Sequence, residues 1–271
     1  INGTANFGNN TANNGGAIYY STTLNIDGTA TFTSNTATTR GGAVFTHEGT
    51  TSVSGTADFE NNSSKDGGAV RSPITIQEGA TVTFTENTTS ARGGAIVGVT
   101  SIAQGSTATF NKNTASIDGG AIWGNVTLSG ESTFTFNESA NGGAINGNVI
   151  ISESSTIKFE NNTATSIGGA VKGGVTINES ASANFSKNTA PQGGGIYGTT
   201  TINGTAIFDD NTATSRGGAI YSYGGTTTVN GSATFTNNDA VQNYGGAVYS
   251  GTLNINGTAN FGNNTANNGG A

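Results

Sequence analysis

The groups able to do chemistry are few and scattered: sixteen Asp and Glu, nine Lys and Arg and one His among 271 residues. The one adjacent carboxylate pair is Asp209–Asp210, and the one imidazole, His47, adjoins Glu48. Acid–base catalysis or a metal centre needs several such groups converging on one point. No second His or Cys is present to complete a set, so both pairs read as solvated turn residues. Paired glycines recur as "GGA" before Ile or Val, and glycine loops can cradle phosphate. Here the GxxxxGK[ST] pattern is missing, and the Asp of the GGxGxD calcium repeat is absent from its place. The expectation is a non-enzyme with no catalytic residue, metal or cofactor.

Binding chemistry is better represented. The outward position after "GGA[IV]" reads Tyr19, Phe45, Arg71, Val97, Trp123, Asn146, Lys172, Tyr197, Tyr221 and Tyr249. If the sequence continues as a tandem array, Tyr197, Tyr221, Tyr249, Tyr19 and Phe45 fall on five successive coils. They would form a stripe of exposed aromatics able to meet glycans or a neighbouring filament. Cross-strand stacking alone would also account for them. Outward Thr in "TATF", "TVTF" and "TFTF" resembles the hydroxyl grid of β-helical ice-binding proteins, but Asp58, Lys158, Asn184, Ile207 and Asn260 interrupt its second column.

The elements that must carry these residues follow from one period. Phe7, Phe32, Phe59, Phe84, Phe110, Phe136, Phe159, Phe185, Phe208, Phe235 and Phe261 mark ten coils of 23–28 residues. Each coil holds three short strand-like runs, such as "GGAVF", "TSVSG" and "TADFENN", whose apolar residues alternate with polar ones. One coil has too few inward side chains to close a core, so coils must stack as parallel strands. The fold expected is all-β: a right-handed parallel β-helix, or β-solenoid, with three short strands per coil. In Phe136 this phasing takes the inward ring of its coil, with Phe134 at the position two before.

Asn follows Phe by three at Asn10, Asn35, Asn62, Asn87, Asn113, Asn162, Asn188, Asn211, Asn238 and Asn264, whereas Phe136 is followed by Ser139. A stack of such amides can satisfy a tight corner along its whole length, so these Asn are expected to form a structural ladder. Before the glycines, Arg40, Asp66, Arg92 and Asp118 alternate in sign over four coils, as neighbours in register prefer. The sequons at Asn9, Asn161 and Asn203 permit glycosylation.

Glycine numbers 44, charged residues make up only 9%, and the net charge is −7. The acidic balance disfavours nucleic acid and anionic lipid as partners. No apolar run approaches the length needed to span a bilayer, so this segment is expected not to insert in a membrane. Residues 1–17 are identical to 255–271, giving a single continuous solenoid over 1–271, one 254-residue period plus an overlap. It reads as a segment of a longer tandem array; subunits joined end to end are the other account.

The pairing of "GGAI" or "GGAV" with "FxxN" at these intervals resembles the repeats of the chlamydial polymorphic outer membrane proteins and related surface proteins. The resemblance implies a β-helical passenger exposed on the cell surface and used in adhesion. That family also ends in an outer-membrane barrel, which has no counterpart in these residues. The expected function is therefore structural and extracellular: a cell-surface fibre, sheath or adhesin stalk whose partner is itself. The alternative is a specific binder, a glycan or cell adhesin or an ice-binding protein, using an aromatic or Thr face.

Overall fold

The computed structural model describes all 271 residues, as short strands joined by turns and bends, with no helix. All strand pairs are parallel and each joins neighbouring coils, so the chain is a β-solenoid of about ten turns. Eleven strands such as Thr29–Thr33, Thr107–Asn111 and Thr205–Asp209 form one sheet, here the Phe sheet. Thr and Phe suit a pleated, half-buried surface, and alternation sends Phe and the residue two before it inward. Phe32 pairs with Phe59, Phe84 with Phe110 and Phe208 with Phe235, without slippage. Their rings stack nearly parallel at 4.6 to 5.0 Å between centroids. They form the spine of one continuous core of 49 buried residues.

The three expected runs are present, but each coil has a fourth strand. It follows "FxxN", as in Thr36–Arg40, Thr163–Ile167 and Thr212–Arg216, and builds a second eleven-stranded sheet. Its inward side chains are small: Ala37, Ala115, Ala164, Ala190, Ala213 and Ala240. So little apolar area gives almost no period-2 signal. The other two runs, typified by Ile122–Trp123 and Val126–Leu128, merge into a third sheet of 18 strands. Thr51 is fully buried and bonds the hydroxyls of Tyr20 and Ser72 at 2.8 Å each.

One coil is phased differently from the sequence reading. Phe134, not Phe136, pairs with Phe110 and Phe159 and is fully buried. The cause is the corner that follows. The second residue after each inward Phe adopts a left-handed conformation, with φ between 54° and 57° at all eleven corners. Phe136 occupies that position and is 55% exposed. The shift places Ser132 in the core slot held elsewhere by Ala, Val or Ile, where its hydroxyl is buried without a partner.

The "GGA" corner has a steric origin at both glycines. Gly119 has φ of +62°, and a Cβ on it would lie 2.1 Å from the Ile122 carbonyl oxygen. A Cβ on Gly120 would lie 2.0 Å from the Gly143 carbonyl oxygen of the next coil. The chain turns here only by letting backbones touch.

Candidate functional site

The most ordered polar array is the Asn ladder at the corner after the Phe sheet. Asn113 is typical. Its Oδ1 accepts from the backbone N–H of Asn87 at 3.1 Å and from Asn87 Nδ2 at 3.0 Å. Its Nδ2 donates to the Phe84 carbonyl at 2.9 Å and to Asn137 Oδ1 at 3.0 Å. The same bonds recur from Asn35 through Asn62, Asn87, Asn162, Asn188, Asn211 and Asn238. Asn10 and Asn264 occupy the first and last rungs. Asn137 is the rung that the sequence reading missed: it follows Phe134 by three, so the "FxxN" spacing itself carried the signal. Ser139, assigned to that place, instead bonds the carbonyls of Asn141 and Gly142 at 2.9 Å. Each amide ties three coils together and satisfies a buried turn, which is structural work.

The titratable candidates do not converge. His47 and Glu48 are both exposed at a turn. Asp209 accepts from Thr236 Oγ1 at 2.7 Å and Asn237 Nδ2 at 3.0 Å, while Asp210 occupies a left-handed corner position. No three His, Cys, Asp or Glu side chains group in a way that could hold a metal ion. The alternating charges do meet: Asp66 lies 3.4 Å from Arg92 Nε and 3.3 Å from Arg71 Nε, and Arg92 covers the Trp123 ring at 4.5 Å. Such half-exposed pairs fix register more than they stabilise.

The five aromatics expected to form one exposed stripe fall into two clusters. Tyr19 and Phe45 meet at 5.4 Å with their rings tilted by 42° near one end of the solenoid. Tyr197, Tyr221 and Tyr249 stack at 5.1 and 5.5 Å near the other. Two of the five are not exposed, which corrects the sequence reading. Phe45 is 3% exposed because Tyr19 packs against it, Arg40 lies over its ring at 5.8 Å and Arg71 pairs with it in the next coil. Tyr221 is 5% exposed, held between Tyr197 and Tyr249 with Tyr223 beside it at 6.4 Å. Tyr223, not singled out from sequence, is the most exposed aromatic at 72%. It sits where the turn between the two rows of the third sheet is lengthened, within Ile220–Val229.

The second Thr column is also occupied internally: Thr31 Oγ1 donates to Asn6 at 2.6 Å, and Thr83 donates to Asp58. No helix is long and apolar enough to cross a membrane.

Comparison with known families adds one finding. Residues 29–47, 81–99, 107–125, 156–174, 182–199 and 205–223 match the Chlamydia polymorphic membrane protein repeat. Each match runs from a Phe strand, through the ladder corner, to the strand after the glycine pair. The coil with the displaced Phe134 is not among them. No curated protein and no solved structure matches the chain. Repeat type and solenoid together point to a surface or outer-membrane repeat protein. The chain is thus a β-solenoid, six of whose coils carry a repeat that matches that of the Chlamydia polymorphic membrane proteins.

Proposed function

We propose that this solenoid is a non-catalytic structural element of the cell surface, serving as a fibre, sheath or adhesin stalk. The observation that carries the reading is the ladder: one bonding pattern is repeated without a break from Asn10 to Asn264, with the Phe stack beside it. Such a column gains length by adding coils, each resting on the last, so reach and stiffness come from the same contacts. The identity of residues 1–17 with 255–271 fits this use, because a coil of that sequence already supports the coil beginning at Ile18.

The test is a chain in which residues 18–271 follow Ala271. Ten inter-coil steps span roughly 48 Å, so two periods should scatter X-rays as one rod of about 100 Å. Two separate bodies joined by a hinge would overturn the reading.

A further inference from the structure

The third sheet bends between its two strand rows at a column of glycines, Gly98, Gly124, Gly147, Gly173 and Gly198. Side chains are excluded there: a Cβ on Gly173 would lie 2.2 Å from the Gly147 carbonyl oxygen. The bend leaves a trough along the solenoid axis. Its main part is a cavity of 410 Å³ lined by Asn125, Asn146, Asn148, Lys172 and Tyr197 over the glycine floor. At Tyr197 and Gly198 it joins a second cavity of 170 Å³, walled by Tyr221, Ser222 and Tyr223.

Three features of the trough point to a ligand. Ser222 is 4% exposed and its Oγ has no hydrogen-bond partner, a buried polar group that the fold alone leaves unsatisfied. Asn125 and Asn148 use their Oδ1 atoms to hold the next coil's N–H at 3.0 and 2.8 Å, which leaves both Nδ2 groups facing outward as free donors. Tyr223 and Tyr249 lie parallel within 2° at 6.2 Å, giving a flat aromatic wall at the end of the row. Charge is nearly balanced, because Lys172 Nζ sits 3.9 Å from Asp118.

An amide row, a hydroxyl and a flat aromatic wall match a sugar chain, whose rings carry hydroxyls at the rim and apolar C–H faces. Asn125 and Asn148 sit on successive coils, about 4.8 Å apart, close to the length of one sugar ring in an extended chain. We propose that the trough from Asn125 to Tyr223 binds a linear β-1,4-linked oligosaccharide, with Tyr197 and Tyr223 stacking on sugar faces and Asn125, Asn148 and Ser222 bonding hydroxyls. This site is independent of the structural role above, and either can fail alone.

The test is calorimetric titration of the whole chain with the β-1,4-linked tetramers of glucose and of N-acetylglucosamine, with the α-1,4-linked glucose tetramer as comparison. At least one β-1,4 tetramer should bind with Kd below about 5 mM. Tyr223→Ser, at an exposed turn, should weaken it about tenfold, and Tyr19→Ser at the other end should leave it unchanged. Ser222→Ala should raise the melting temperature and yet weaken binding, a pairing that a purely structural role would not give. Absence of binding by both β-1,4 tetramers, equal binding of the α-1,4 tetramer, or indifference to Tyr223→Ser would each overturn the proposal.

Discussion

Replacing Asn113 by Ala removes the centre of the ladder and tests whether those amides hold the corner. Four bonds go: two into Oδ1 from Asn87, and two from Nδ2 to the Phe84 carbonyl and Asn137 Oδ1. Asn87, Asn113 and Asn137 are each 0% exposed, so water does not replace them. Asn137 Oδ1 keeps the Asn113 backbone N–H at 3.0 Å, leaving the two Asn87 donors and the Phe84 carbonyl as the groups that lose this partner. At about 1 to 3 kcal/mol for each, the loss should be about 4 to 6 kcal/mol. Asn264→Ala removes three similar bonds at a half-buried rung, where water can substitute, and should cost about 1 kcal/mol. Because coils of a solenoid can open locally, the readout is amide hydrogen exchange around Asn87 and Asn113 beside denaturant unfolding. A loss below about 1.5 kcal/mol at Asn113, or equal losses at the two rungs, would refute the reasoning.

Four further substitutions probe the rest of the coil. Ser132→Ala removes a buried, unpartnered hydroxyl and should stabilise the chain by about 1 kcal/mol, seen as a higher denaturation midpoint. Phe136→Asn relieves a left-handed aromatic that buries little, and should also stabilise by about 1 kcal/mol, whereas Phe110→Ala should cost about 3 to 5 kcal/mol. Gly120→Ala drives a Cβ into the Gly143 carbonyl and should cost at least about 3 kcal/mol, with exchange rising at both adjoining corners.

The Phe register and the glycine corners were legible because each combines strict alternation with a residue that only one geometry accepts. Phe134 and Phe136 share parity, so alternation alone does not choose between them; the Asn three places after Phe134 does. The Ala strands were silent because a buried Ala adds too little apolar contrast to a polar run. Exposure of the aromatics was misjudged at Phe45 and Tyr221 for a different reason. Their covering comes from Arg40, Tyr19 and Tyr223, which reach them across a coil or around a lengthened turn, and no local pattern encodes that. The trough was invisible for the same reason: its lining comes from several coils.

The amides of the ladder all aim the same way, each N–H toward the carbonyl of the following rung. The column therefore has a donor face and an acceptor face, and turning one copy over would set like against like. Any joining along this axis has a single productive sense, which yields an open, polar thread rather than a closed twofold pair.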